Sequence, residues 1–173
     1  MTVANQAVIR REVFIKAKPK TVFAFLIDSK KMREWMGVTH TLEPRPGGVY
    51  RVDVTNGNVA SGTYTEVVPD RRVVFTWGWE GGGGLAPGAS TVAIELAAEG
   101  AGTRVTLVHS DLSPPAIKSH TEGWEHYLAR LAIAAAGGDA GPDPWVKKPA
   151  AKPKTPRAKA AAKPKSKAAA KRG

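Results

Sequence analysis

The stretch Ser119–Gly138, SHTEGWEHYLARLAIAAAGG, constrains this chain more than any other. Trp124, Leu128, Leu131 and Ala135 recur at i, i+4, i+7 and i+11, which places them on one face of an α-helix. Ser119 followed by Glu122 has the S-x-x-E form of a capping box and predicts the helix start. Gly137 and Gly138 supply a residue free to enter the left-handed conformation, and predict the end. An apolar helix face must be covered, and the rest of the chain decides by what.

Most of what precedes it is strand. Val8–Ala17 alternates through Val13 and Ile15 and predicts a first strand. Pro19 suits the first turn of a helix over Pro19–Ile27, and Asp28 or Ser29 can cap a second short helix that Gly37 ends. Strands follow over Val38–Glu43, Val49–Val54, Ala60–Val68, Arg72–Trp79, Thr91–Ala97 and Thr103–His109. They are joined by Gly and Pro turns, with Asn56-Gly57 as a hairpin signal. A sheet with one apolar face needs a second layer, and the last helix is the only long one. The predicted fold is α+β: a curved antiparallel sheet around a long C-terminal helix, with two short helices after the first strand.

Charge divides the chain differently. Of the 26 Lys and Arg, eleven lie in Val146–Gly173, leaving 15 in Met1–Trp145 against 15 acidic residues. The segment VKKPAAKPKTPRAKAAAKPKSKAAAKRG holds one large apolar residue and no acid. It cannot bury enough surface to offset the entropy of ordering, and Pro149, Pro153, Pro156 and Pro164 interrupt any helix. Two units follow: a folded domain over 1–145 and a disordered basic tail over 146–173. The candidate nucleic-acid contacts are Lys147, Lys148, Lys152, Lys154, Arg157, Lys159, Lys163, Lys165, Lys167, Lys171 and Arg172. Such a tail would follow DNA or RNA phosphates by counterion release, without base readout; a purely solubilising tail is the other reading. No aromatic residue follows Trp145, so base stacking is not available.

Several chemistries are excluded early. There is no cysteine, so no disulfide and no thiolate nucleophile. His120 and His126 are six apart on one helix and point to different faces, and no carboxylate cluster joins them, so no metal site is expected. Gly81–Gly84 lacks the Lys-Ser/Thr of a phosphate loop and reads as a cavity rim. No cofactor is expected. The N-terminus lacks the apolar run of a signal peptide and no stretch is suited to span a bilayer. A cytoplasmic location is expected, at the nucleoid if the tail is used.

The inward-facing candidates come from strand parity. Val73, Phe75, Trp77 and Trp79 share a face, and His109 shares one with Val105 and Leu107. With Trp35, Trp124 and Leu128 they define the expected ligand-binding set: Trp35, Phe75, Trp77, Trp79, His109, Trp124 and Leu128. Ordinary core packing explains the aromatics equally well, Trp124 above all. His109 could serve as an acid or base, but a lone inward histidine needs a partner before it is a catalyst, and a buried, hydrogen-bonded role is preferred. No catalytic residue is assigned. Ser110 and Asp111 beside it form no triad, because successive strand residues face opposite ways. The parity of Arg51 and Glu66 is ambiguous in a twisted sheet.

Five motifs carry a family resemblance: REWMG at Arg33–Gly37, RPGGVYRV at Arg45–Val52, GTYTEVVPDRRVVFTW at Gly62–Trp77, TLVHSDL at Thr106–Leu112 and HTEGWEHYLARL at His120–Leu131. Together they resemble the START/Bet v 1 (SRPBCC) superfamily, in the branch similar to the activator homologue of the 90-kDa heat-shock protein ATPase. The resemblance covers Val8–Gly137 and implies a helix-grip fold with a pocket between sheet and helix. It implies no single activity, because that fold serves lipid carriers, cyclases and co-chaperones alike. The co-chaperone carries a further N-terminal domain, with no expected counterpart in this sequence. The expected function is therefore non-enzymatic binding of a small hydrophobic molecule, with a tail of loose nucleic-acid affinity. The alternatives are a cyclase- or hydrolase-like enzyme using a pocket histidine, and a co-chaperone-like interaction module.

Overall fold

A computed structural model describes residues 7–82 and 84–148. Strand β1 (Ala7–Ile15) leads into helices α1 (Pro19–Ile27) and α2 (Ser29–Met32). Strands β2 (Thr39–Leu42), β3 (Val49–Asp53), β4 (Val59–Val68), β5 (Arg72–Trp77), β6 (Ser90–Glu99) and β7 (Gly102–Leu112) follow, then helix α3 (Pro114–Ala135). All neighbours pair antiparallel in the order β1-β7-β6-β5-β4-β3-β2, so β1 closes onto the last strand and the remainder is a meander. This is the expected α+β helix-grip architecture.

Period-two patterning sets the inner face. Val73, Phe75 and Trp77 of β5 are buried beside Val92, Ile94 and Leu96 of β6 and Val105, Leu107 and His109 of β7. The outer face is charged: Arg72 reaches both Glu66 and Glu95, and Arg51 reaches round to Glu80 at the edge of the sheet. Arg51 and Glu66, ambiguous by parity, therefore both face out. Helix α3 lays Trp124, Leu128, Leu131 and Ala135 against the inner face, the stripe the periodicity predicts.

The predicted start of α3 is corrected. It begins at Pro114, five residues before the Ser119–Glu122 capping box. Pro114 and Pro115 occupy the first turn, where a missing N–H costs nothing and a preset φ suits the helix. Ser113 stands at the N-cap position in the extended conformation that a following proline favours, without a side-chain capping bond. Ser119 Oγ instead donates back to Ala116 O at 3.3 Å within the helix. The end is as expected: Gly137 has φ +95°, and Gly138 N–H reaches Ile133 O at 2.9 Å, a Schellman closure. Asp28 caps α2, accepting from Lys30 N at 2.8 Å.

The expected onset of the tail also shifts. Residues 139–148 run back over α3 as a strap. Arg130, buried, donates to Ala140 O at 3.1 Å and Gly141 O at 2.7 Å. Asp143 accepts from Tyr127 OH at 2.7 Å. The strap ends on the β3–β4 hairpin, where Lys147 N–H donates to Thr55 O and Asn56 Nδ2 donates to Lys147 O, each at 3.0 Å. The backbone of Lys147 is thus tied to the body. The basic residues from Lys152 to Arg172 lie outside the described residues. Among the described residues, no helix is long and apolar enough to cross a membrane.

Candidate functional site

Three tryptophans converge where the sheet opens toward α3. Trp77 is the last residue of β5, and Trp79 follows two residues on, held by a bridge to Ala60 and by Trp79 N–H to Leu85 O at 2.8 Å. Gly78 separates them, and a Cβ there would collide with the Ala86 carbonyl, so the close loop return needs glycine. Trp124 enters from α3, its ring 5.3 Å from Trp77, and Trp77 stands edge-on to Trp79, also at 5.3 Å.

These rings form one wall of a cleft of about 570 Å³, a size that accommodates a small molecule. Met36, Val54 and Tyr127 add apolar surface, Gly81 and Gly82 form part of the rim, and Trp145 of the strap closes another side. Glu80 is the only charged side chain lining it among the described residues, and Arg51 grips it through two bonds at 2.8 and 2.9 Å. That grip holds the Glu80 carboxyl below its usual range.

Of the seven residues expected to contact a ligand, Trp77, Trp79 and Trp124 line this cleft. The other four do not, for distinct reasons. Phe75 is stacked on Tyr50 at 3.9 Å, deeper along β5. Leu128 is one helical turn below Trp124 and buried in core. Trp35 donates to Phe25 O at 2.9 Å and lies buried where the two short helices meet the body. His109 is 0 % exposed, screened from the cleft by Trp77 and Trp124.

The buried polar network behind the tryptophans has a single direction. Trp124 Nε1–H donates to His109 Nδ1 at 2.9 Å, because an indole can only donate. The proton of neutral His109 is therefore on Nε2, which gives it to Ser90 Oγ at 2.8 Å. Ser90 in turn donates to Trp77 O at 2.8 Å. Burial, with a smaller push from the His120 ring, lowers the His109 pKa to about 3.

His120 is the residue that strand parity could not supply. It is buried, 5.1 Å from the His109 ring, and receives both Trp77 Nε1–H at 3.3 Å and Trp79 Nε1–H at 3.2 Å on Nε2. Its place four residues before Trp124 on the same helix face was the available signal. Burial lowers its pKa also. His126 instead stacks under Trp145 at 3.9 Å and bonds Asp143 at 2.8 Å, anchoring the strap. Among the described residues, no cluster of three potential metal ligands occurs.

A family model described as "Activator of Hsp90 ATPase homolog 1-like protein" matches residues 16–136, well over half of the chain. The chain belongs to that family. Solved structures agree with the AHSA1-like assignment. An AHSA1-like protein from Rhizobium etli is 44% identical, covering 84% of this chain and 91% of its own, with a TM-score of 0.67. CalU16 from Micromonospora echinospora is 26% identical over 76% of each chain, with a TM-score of 0.60. The Aha1 dimer from Colwellia psychrerythraea shares the fold at 18% identity, covering 76% of this chain and 98% of its own, with a TM-score of 0.67. No curated protein matches this AHSA1-like chain.

Proposed function

We propose that this AHSA1-like domain binds a small hydrophobic molecule without transforming it, and that its basic C-terminal segment adds loose affinity for nucleic acid. The observation that carries the first part is the tryptophan-walled cleft between sheet and α3. Four tryptophans and Tyr127 line it, and no Lys or Arg does among the described residues. Trp77, Trp79 and Trp124 are the ligand contacts in this reading, with His120 added. The protein would work in the cytoplasm, at the nucleoid when its tail is engaged.

An enzymatic reading looks for a partner to His109, and Ser90 Oγ stands 2.8 Å away. The polarity is wrong for nucleophile activation. A base must present a lone pair to the hydroxyl, whereas Trp124 occupies the Nδ1 lone pair and Nε2 carries the proton. A pKa near 3 and complete burial also oppose proton exchange near neutrality. An interaction module would present a contiguous apolar patch, yet the exposed large apolar residues among those described, Val8, Phe14, Val49, Ile133 and Trp145, are divided among β1, β3, α3 and the strap. The test is native mass spectrometry of protein purified from its own host. A copurifying apolar adduct, lost in Trp79→Ala, supports binding; turnover of any compound that depends on His109 would overturn it.

The nucleic-acid component rests on charge partition alone: eleven cations in 28 residues beside a body of equal acid and base. Its experiment is a salt titration of DNA affinity.

A further inference from the structure

Hydrogen-bond accounting at the cleft leaves one acceptor short. His120 Nδ1 lies 2.8 Å from Ala116 O, and a carbonyl only accepts, so Nδ1 bears the proton and Nε2 offers one lone pair. Two indole N–H groups aim at that lone pair from 3.2 and 3.3 Å, at the long end of the usual N–H range, so the one lone pair is shared between them. His109 cannot relieve them, because Trp124 takes its single lone pair at 2.9 Å. Three indole donors therefore face two imidazole acceptors. Of the two that share, Trp77 is 3 % exposed, while Trp79 is half-buried on the cleft wall. The donor that a ligand can reach is Trp79 Nε1–H.

We infer that the cleft selects an uncharged, flat aromatic molecule whose carbonyl oxygen accepts from Trp79 Nε1–H, leaving His120 Nε2 to Trp77. The inference rests on the small-molecule reading above and names the ligand class for the same cleft. A carbonyl adds an acceptor and no donor, which is the deficit. A hydroxyl would add a donor along with its acceptor, so it would not by itself close the deficit. A carboxylate would meet no Lys or Arg on the cleft lining, and the nearby Arg51 guanidinium is already committed to Glu80. The aromatic requirement comes from the walls: Trp77 and Trp124 meet at 5.3 Å with planes 50° apart, and Trp77 and Trp79 at 78°, a faceted surface suited to stacked and edge-on rings. Trp79 positions the ligand, and His120 acts through the two indoles by fixing which of them is left to donate.

The experiment titrates isotope-labelled full-length protein with naphthalene, 2-acetonaphthone and 2-naphthoate, following the five indole Nε1–H signals by NMR. The expected result is that the ketone binds about tenfold tighter than naphthalene, the worth of one hydrogen bond to a donor the ligand desolvates. The Trp79 signal should move downfield with the ketone only. In Trp79→Phe both ligands should weaken and their ratio should fall to about one. If that variant does not fold, the Trp79 signal is assigned in wild type by its ring contacts to both Trp77 and His120, and the shift alone decides. Tightest binding by naphthoate would overturn the inference in favour of an anion site. Equal affinity of ketone and naphthalene, with an unmoved Trp79 signal, would overturn it while leaving the hydrophobic-ligand reading intact. Binding by none of the three removes both.

Discussion

Burial holds the His109 imidazole near a pKa of about 3, whereas in the unfolded chain it titrates near 6.5. Above pH 6.5 neither state binds the proton and His109 makes stability insensitive to pH. As pH falls from 6.5 toward 3, the unfolded chain takes up a proton that the folded protein refuses, so stability is lost, at up to about 1.4 kcal/mol per pH unit. His120 acts in the same direction. Urea titrations at pH 7, 6 and 5 check this, and His109→Gln should flatten the slope. Gln retains one acceptor for Trp124 and one donor for Ser90, so at pH 7 it should cost about 1 kcal/mol, and His109→Leu about 2–3 kcal/mol by stranding the Trp124 N–H. Tyr50 and Tyr64 behave oppositely. Both hydroxyls are buried without a hydrogen-bond partner among the described residues. Tyr50→Phe should therefore leave the melting temperature unchanged or raise it, whereas a clear loss would reveal a partner for the hydroxyl.

The C-terminal strap is the element whose energetics are least apparent from its composition. Asp143 gathers Tyr127 OH, His126 and the Trp145 N–H, and its side chain is only 7% exposed. Burial, the largest single influence, pushes its carboxyl up, but these bonds, led by the one from Tyr127, together hold it below the usual range. They also leave the Tyr127 phenol raised, by burial first and then by the Asp143 contact. Cutting the chain after Gly138 removes these bonds, the Trp145 stack and two of the carbonyls that satisfy Arg130. The expected loss is roughly 2–4 kcal/mol, or about 5–10 °C in melting temperature by differential scanning calorimetry. Cutting after Lys148 should leave the melting temperature unchanged. The same comparison tests the cleft, because Trp145 lines one side of it. The shorter protein should lose ligand affinity as well as stability.

For the molecule as a whole, charge and fold separate. The body is balanced at 15 basic and 15 acidic residues, and the excess of eleven lies beyond Trp145. Full-length protein should bind duplex DNA weakly and without sequence preference, on the order of 10⁻⁴–10⁻⁶ M at physiological salt. With about half of the cations on phosphates, log K should fall against log salt with a slope near −5. Truncation after Lys148 removes nine of the eleven, Lys152 to Arg172, and should abolish binding without touching the cleft. Equal affinity of both proteins by fluorescence anisotropy would transfer the site to the folded body.

Local periodicity determined which segments are strands, which face of each is apolar and which face of α3 meets them, because patterns of two and 3.6 are written residue by residue. Phe75, Trp77 and His109 faced inward as their parity required. The start of α3 was written there too, in Pro114-Pro115, but the S-x-x-E pattern five residues later competed with it and described a sequence that sits mid-helix. What tertiary structure alone decided is which inward residues reach the cleft. Parity assigns a face and not a depth, so it put Phe75 and Trp79 on one side without separating them, yet one lies under Tyr50 and the other on the wall. His120 and Trp79 are 41 residues apart and meet only because α3 crosses the open end of the sheet. The strap was hidden for the same reason. A Gly-, Asp- and Pro-rich segment carries no periodic signal, and its order comes from donors and rings on α3 that bind it from outside its own sequence.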